Sequence, residues 1–259
     1  MAQVDDHTPF TPGWIDIGTD VAGARSFYTA LFGWEAVDAG PPEESGGYGF
    51  FLKGGRMVAG FGPQQNPGPP FWTVYVIVPD AEAVAAKVTA AGGQVVLPPM
   101  DVMDQGRMAV FQDAGGAFFS VWQPGRHRGA QVVKEDGSFT WAELDTRDVE
   151  GAKRFYEAVF GWGSETSTEM EMTYTELKLG GESIGGMMDM PPMVPAEAPA
   201  FWLVYLQVDD VDAATARAAE LGGTVVSEPM DVPGGRFSLA MDPQGAMFGL
   251  MAGGASVAG

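Results

Sequence analysis

The chain repeats itself once along its length, and this duplication limits the folds that are open to it. Residues 19–34 read TDVAGARSFYTALFGW, and residues 147–162 read RDVEGAKRFYEAVFGW. Residues 71–80, FWTVYVIVPD, return as FWLVYLQVDD at residues 201–210. Two copies of roughly 120 residues indicate a duplicated domain, because solenoid repeats have periods of about 20–50 residues.

Both copies predict the same order of elements. An alternating strand leads to a helix that opens at an aspartate and ends at a glycine, and strand-like segments follow. A second strand, helix and strand series completes each copy. We therefore predict an α+β fold of two domains, each made of two βαβββ modules that form a curved mixed sheet around a cup. The predicted bounds are 1–122 for the first domain (modules 13–61 and 71–122), 123–138 for a polar linker, and 139–259 for the second domain (modules 139–188 and 201–251).

Charge and composition exclude several classes of function. The net charge of −20 disfavours nucleic acids and anionic membrane surfaces as partners, since proteins bind both through clustered Lys and Arg. The chain has no cysteine, which excludes disulfides and thiolate metal sites. Its two histidines are expected in a disordered tail (His7) and on the linker surface (His127). The acidic start and the lack of a long apolar run predict a cytoplasmic protein.

Three motifs occur once in each copy. They are Asp-Val-x-x-Ala-x-x-Phe-Tyr-x-x-x-Phe-Gly-Trp after the first strand, Gly-Gly after the second helix, and Asp-x-x-Gly-Ala-x-Phe before the last strand. With these motifs the whole chain resembles the vicinal oxygen chelate superfamily, which includes the glyoxalase, bleomycin-resistance and extradiol dioxygenase families. Tandem members similar to this chain are frequent in actinomycetes. Because this fold hosts several chemistries, the resemblance implies a fold and leaves the activity open.

The resemblance also implies where a metal would be held. Members that use a metal hold it through His or Glu at three strand positions. In this chain these positions hold tryptophan, threonine, serine, leucine and glycine, which supply neither imidazole nor carboxylate. We therefore predict no metal and no cofactor. The corresponding residues are Trp14, Thr73 and Ser120 in the first copy and Trp141, Leu203 and Gly249 in the second.

Strand alternation assigns side chains to the concave face of each sheet. The predicted set is aromatic, thioether-containing and small, with a few polar groups, as in pockets for small molecules. The two tryptophans could instead fill the sheet core, and the two arginines could pair with nearby carboxylates. The predicted ligand-binding residues are Trp14, Thr73, Tyr75, Arg107, Ser120, Trp122, Trp141, Leu203, Tyr205, Gln207, Arg236, Met247 and Met251.

Two acids share this face and are the candidate catalytic residues. Asp16 follows Trp14 by two residues, and Glu143 follows Trp141 in the same way. Burial beside an indole raises the pKa of a carboxyl group and suits it to act as a general base. The alternative is that both acids are solvated at the mouth of a cup.

These residues favour a metal-free, bleomycin-resistance-like protein that binds a small hydrophobic or aromatic metabolite, such as an antibiotic. The alternative is a tailoring enzyme of secondary metabolism that works without a metal, with hydroxylase-, lyase- or isomerase-like activity. A metal-dependent lyase or dioxygenase is disfavoured by the missing ligands, and a structural protein without a ligand stays open. We expect a monomer with an internal pseudo-dimer, or a homodimer.

Overall fold

The computed structural model describes residues 4–65, 68–169, 172–192 and 194–253, which form two eight-stranded sheets with helices. The first copy contains β1 (Pro12–Thr19), α1 (Val21–Phe32), β2 (Glu35–Asp38), α2 (Pro42–Ser45), β3 (Gly49–Lys53), β4 (Arg56–Pro63), β5 (Phe71–Ile77), α3 (Ala81–Ala90), β6 (Gln94–Val102), β7 (Gly106–Gln112) and β8 (Phe118–Pro124). The second copy contains β9 (Ser138–Thr146), α4 (Val149–Phe160), β10 (Gly163–Glu169), β11 (Met172–Leu179), β12 (Glu182–Asp189), β13 (Phe201–Gln207), α5 (Val211–Glu220), β14 (Thr224–Val232), β15 (Gly235–Met241) and β16 (Met247–Gly253).

The two sheets have the same topology. The strand order is β2-β3-β4-β1-β5-β8-β7-β6 in the first and β10-β11-β12-β9-β13-β16-β15-β14 in the second. In each sheet the first strands of the two modules, β1 with β5 and β9 with β13, pair antiparallel at the centre. Each of these strands also pairs in parallel with the last strand of its own module. The predicted α+β fold of paired βαβββ modules is therefore confirmed.

Aspartates begin the main helices, as the sequence predicts. The Asp20 carboxylate accepts a hydrogen bond from the Gly23 N–H at 3.0 Å, and Asp148 accepts one from the Gly151 N–H at 2.7 Å. Gly33, with φ of 67°, provides the left-handed residue that ends α1. These caps satisfy backbone groups that would otherwise lack partners at the helix ends.

The two copies share one hydrophobic core. Ile15 and Ile17 on β1 belong to the same cluster of buried side chains as Ala142 and Leu144 on β9. Rings also cross between the copies, with centroids 5.8 Å apart for Tyr28 and Phe248. The helical faces of both sheets are thus buried against each other, and the concave faces point away from this core.

Two reciprocal hydrogen bonds join the copies inside this core. Tyr28 Oη on α1 donates to Asp242 Oδ2 of the second copy at 3.0 Å. Tyr156 Oη on α4 donates to Asp113 Oδ2 of the first copy at 2.9 Å. Asp113 also accepts from the backbone N–H groups of its own turn, so each aspartate fixes a turn and the opposite copy together.

We expect Tyr156→Phe to lower the free energy of unfolding by about 2 kcal/mol, because it leaves a buried carboxyl group without one of its donors. Tyr28→Phe, which removes the symmetry-related bond, is the matched variant and should cost a similar amount. Urea denaturation followed by far-UV circular dichroism measures both. Each variant should unfold in a single transition, since the core is continuous; two separate transitions, only one of them shifted, would contradict the shared core.

The segment between the sheets is packed rather than solvated. Ala130 and Val132 are buried. The Ala130 N–H donates to the Gly13 carbonyl at 2.8 Å, and the Gln131 N–H donates to the Met57 carbonyl at 2.7 Å. The segment therefore crosses the first sheet before β9 begins. No helix in the described part of the chain is long and apolar enough to span a membrane.

Candidate functional site

A tryptophan, an acid and two tyrosines form a hydrogen-bonded network on the concave face of the first sheet. Trp14 and Asp16 lie two residues apart on β1 and therefore share a face. Asp16 Oδ2 accepts from Tyr75 Oη at 2.9 Å and from Tyr48 Oη at 3.0 Å. Trp14 Nε1 donates to Tyr48 Oη at 3.2 Å.

The second sheet repeats this network with a longer acid. Glu143 Oε1 accepts from Tyr205 Oη at 2.8 Å, and Glu143 is also hydrogen-bonded to Tyr174. Trp141 Nε1 donates to Tyr174 Oη at 2.8 Å. The two tyrosine hydroxyls orient the carboxyl group, so the duplication has preserved a polar centre as well as a fold.

The second cup carries an additional acid. Asp145 follows Glu143 by two residues on β9, where its backbone pairs with Phe201 and Met188. Its side chain is 4% exposed, and its Oδ1 atom has no hydrogen-bond partner among the residues that the structure describes. Gly18 holds the equivalent position on β1, so only the second cup has paired carboxyl groups.

Burial perturbs the acidity of all these groups. It raises the pKa of Asp16 to about 6, although the hydrogen bonds from the tyrosines act in the opposite direction. Burial likewise raises the pKa of Glu143. The pKa of Asp145 rises to about 8, because of burial first and of the neighbouring Glu143 charge second. Glu143 matches the prediction of an acid buried beside an indole, whereas Asp16 is half-buried and is held by two tyrosine hydroxyls rather than solvated at a mouth.

His127 lies inside the first cup, and its predicted surface position is wrong. Its imidazole is 6% exposed and meets the Trp14 ring edge-on, with centroids 4.3 Å apart. Trp122 and Phe50 also contact it, at 5.4 and 5.8 Å between centroids. Burial, followed by the charge of His7, lowers the pKa of His127 to about 4. The linker therefore inserts a neutral ring over the aromatic floor of the first cup.

His7 is likewise ordered, contrary to the expectation of a disordered tail. Its Nε2 atom lies 2.8 Å from the Ala130 carbonyl oxygen. The Val4 N–H donates to the Gln131 carbonyl at 3.1 Å. Burial lowers the pKa of His7. Val4 and His7 thus hold the linker against the first sheet.

The concave position predicted for the two arginines is wrong. Arg107 forms ion pairs with Glu82 on α3 and with Asp101, at 3.1 and 3.0 Å. Arg236 pairs in the same way with Asp212 on α5 and with Asp231. Their neighbours on the same strands, including Met108 and Phe237, face the cups instead. A shift by one residue moves every side chain of a strand to the other face, and the alternation predicted for β7 and β15 is out of register by one residue.

The other predicted ligand-binding residues gather into two clusters, one on each concave face. In the first, Tyr75 and Trp122 pack with Trp14, Thr73 is hydrogen-bonded to Asp16, and Ser120 is buried opposite Tyr75. In the second, half-buried side chains surround a buried floor. The floor consists of Trp141, Leu203 and Tyr205, the surrounding side chains are Tyr174, Phe201, Phe237, Leu239, Met247 and Met251, and Gln207 lies at the end of β13 opposite Ser138 and Met251.

Sequence reasoning missed three residues of this network. Tyr48 and Tyr174 hold equivalent places in the two copies, but unequal loops separate them by 126 positions rather than 128 or 130. Asp145 shares a face of β9 with Glu143 because the two residues are two positions apart on the strand. A comparison of polar residues that recur near the repeat offset could have found the tyrosines.

A sequence model described as the glyoxalase/bleomycin resistance protein/dioxygenase superfamily matches residues 17–121 and 138–250. The chain belongs to this superfamily. A putative glyoxylase, CFP32, of Mycobacterium bovis is 42% identical over 97% of this chain and 98% of its own length. The anthracycline biosynthesis protein DnrV of Streptomyces peucetius is 38% identical over 94% of this chain and 93% of its own length.

Solved structures agree with the superfamily fold. The Mn(II)-bound glyoxalase from Novosphingobium aromaticivorans superposes with a TM-score of 0.67 at 16% identity, covering 94% of this chain and 82% of that one. The 2,3-dioxygenase LapB from Pseudomonas sp. KL28 gives a TM-score of 0.64 at 14% identity, covering 98% and 94%. At this level of identity the likeness concerns the fold alone.

The donors at the superfamily's metal positions do not fit a metal ion. In the second cup, Trp141 and Leu203 are buried apolar side chains, and Gly249 has none. Within the described ranges, no group of three or more His, Asp or Glu residues is arranged to hold a metal. Zinc, manganese and iron sites use imidazole and carboxylate donors, so the six positions supply no such set.

Proposed function

We propose that this protein binds one small, mainly apolar aromatic metabolite in its second cup, without a metal ion. The observation that carries the proposal is a buried carboxyl–tyrosine network surrounded by half-buried aromatic and methionine side chains. Ligand pockets have this composition, since apolar walls supply affinity and a few polar groups orient the ligand. Methionines such as Met247 and Met251 adapt to ligands of varied shape.

The two cups are not equivalent in this proposal. In the first, Ala130 and Val133 of the linker pack on the Trp14 cluster, and the His127 ring lies against it. In the second, every described side chain of the Trp141 cluster comes from the sheet itself. We therefore propose one ligand per chain rather than two.

The relatives support an aromatic ligand. DnrV is named for anthracycline biosynthesis, and it is similar to this chain over nearly its whole length. Anthracyclines are polycyclic and aromatic, and a planar ring system suits the exposed parts of Tyr174, Phe201 and Phe237. We extend this class of ligand to the second cup of the present protein.

Tryptophan fluorescence tests the proposal with a matched pair of variants. Polycyclic quinones should quench the emission of the wild type with saturation at one equivalent. Trp141→Phe should lose most of the saturable quenching, because its indole lies on the floor of the second cup. Trp14→Phe, the equivalent change in the covered cup, should retain it. The proposed site would be rejected if none of the quinones binds, or if both variants lose the saturable quenching to the same extent.

Metal analysis tests the second part of the proposal. Protein that is purified without chelators should contain less than about 0.1 equivalent of manganese, iron, nickel or zinc, because the donors are missing. Treatment with EDTA should leave quinone binding unchanged. Stoichiometric metal that EDTA removes together with binding would reject the metal-independent site.

Acid–base catalysis is a second candidate function, and Asp145 favours it. A carboxyl group whose pKa rises to about 8 can exchange a proton near neutral pH, and Glu143 is held beside it by two tyrosines. This candidate corresponds to a tailoring enzyme that works without a metal. It requires turnover that disappears in Asp145→Asn and Glu143→Gln while the ligand still binds; binding without turnover leaves the first proposal.

We also propose a cytoplasmic location, with which the absence of cysteine is compatible. The shared core makes a monomer sufficient, since each copy buries its helical face against the other. A homodimer is the alternative, and sedimentation velocity distinguishes the two.

A further inference from the structure

We propose that the ligand of the second cup carries an ammonium group, which binds between Glu143 and Asp145 while its ring lies against Trp141. This inference rests on the proposed function and narrows it to aromatic amines. It follows from a charge imbalance in the second cup, from an unpartnered oxygen, and from the contents of the first cup.

The charge imbalance lies within the second cup itself. Glu143 and Asp145 share one face of β9, and burial leaves 8% and 4% of their surfaces exposed. The described ion pairs include neither residue, although the same copy pairs Lys178 with Glu176 and Arg236 with Asp212. Two buried carboxyl groups without a cation are costly unless a positive charge joins them or a proton neutralises one of them.

The groups that face the pair leave room for one more donor. Tyr174 on β11 and Tyr205 on β13 donate to Glu143, and burial raises the pKa of both phenols far above its usual range, so they stay protonated donors. The side chains from β15 and β16 in this cluster are apolar. Asp145 Oδ1 stays without a donor in the described structure. An ammonium group has three N–H donors and can contact both carboxyl groups at once.

The first cup shows what this kind of concave face holds. There, the chain's own nitrogen heterocycle, His127, lies edge-on against Trp14 at 4.3 Å between centroids. No described ring contacts Trp141 in that way. The second cup therefore has the same indole without such a ring beside it among the described residues, and it adds Asp145 where the first copy has Gly18. The extra acid makes the second cup select a charged ring rather than a neutral one.

Three probes of one shape test the inference: 1-naphthylmethylamine, 1-naphthalenemethanol and 1-naphthoic acid. At pH 7.5 the amine should bind about tenfold or more tightly than the alcohol, and the acid should bind least. As the pH increases toward 8, the affinity for the amine should rise by up to about tenfold per pH unit, because binding requires ionised Asp145. The affinity for the alcohol should not change in this way. Calorimetry at pH 7 in buffers of different ionisation enthalpy should show close to one proton released per amine bound.

Variants assign the effect to the carboxyl pair. Asp145→Gly, which reproduces the residue of the first copy, and the isosteric Asp145→Asn should bind the amine no more tightly than the alcohol and should release no proton. Asp189→Asn changes an exposed acid on β12 and should keep the wild-type preference. A preference for the amine that survives in Asp145→Asn would overturn the inference.

The remaining outcomes separate the inference from the proposed function. Equal binding of amine and alcohol at the Trp141 site keeps the aromatic site and overturns the ammonium. Binding of none of the three probes rejects both. A titration with MnCl2 alone completes the test: if Mn²⁺ displaces the amine in the wild type and fails to bind Asp145→Asn, then the pair is a divalent cation site, and the inference is wrong.

Discussion

Asp145→Asn should make the protein more stable in alkaline solution. The pKa of Asp145 is raised to about 8 in the folded chain, against a value of 3.8 for an unperturbed carboxyl group. The folded state therefore holds the proton more tightly than the unfolded state, and stability falls as the pH rises through 8. Between pH 6 and pH 9 the wild type should lose about 3 kcal/mol of unfolding free energy that the variant keeps.

Urea denaturation at pH 6, 7.5 and 9 measures this difference directly. Asp189→Asn, an exposed neighbour on β12, is the matched control and should follow the wild type at every pH. The gain in the Asp145→Asn variant should shrink at pH 6, since Asp145 is then protonated in the folded wild type. A variant that is less stable than the wild type at pH 9 would show that Asp145 is ionised and stabilised by a partner.

Replacement of His127 should change the stability of the protein in acidic rather than in alkaline solution. The folded-state pKa of His127 is lowered to about 4 from 6.5, so the unfolded chain binds the proton more readily. The stability that comes from burying the neutral ring is present above pH 6.5 and is lost as the pH falls toward 4. At pH 5 this loss is about 2 kcal/mol relative to pH 7.5, and His127→Phe should remove it.

The difference in unfolding free energy between the His127→Phe variant and the wild type isolates this residue from the acids that titrate over the same range. The pKa of Asp16 is raised to about 6, so its contribution to the free energy of unfolding increases as the pH falls. This increase partly offsets the loss that comes from the histidine in the wild type. The quantity to compare is therefore variant minus wild type at pH 5 and at pH 7.5. If this difference does not change with pH, then the imidazole is not buried over Trp14.

The sequence predicts the framework well because the framework rests on local and repeated signals. Aspartates that begin helices, glycines that end them and alternating strands are properties of short segments, and the duplication presents each of them twice. The assignment of Trp14 and Trp141 to the concave face follows from the same alternation. The arginines show its limit, because one displaced position on β7 and β15 moved Arg107 and Arg236 to the wrong face.

Long-range contacts could not be predicted in this way. The burial of His127 depends on where a linker with a polar sequence crosses the first sheet. Backbone hydrogen bonds to Gly13 and Met57 fix the path of this linker. The bonds between Tyr28 and Asp242, and between Tyr156 and Asp113, depend on how two copies pack. Nothing in a single segment encodes these distances, although the aromatic and acidic residues involved recur in both copies.

The linker that fills the first cup makes the order of the two copies matter. A gene that encoded the second copy first would move the His127 segment away from the sheet that it now covers, and the Trp14 floor would be left open. The copies are similar in fold and in their carboxyl–tyrosine networks, yet among the described residues such a ring lies against Trp14 and none lies against Trp141. The two acid networks therefore lie in different environments, the first beneath a segment of the chain itself and the second, among the described residues, beside side chains of its own sheet.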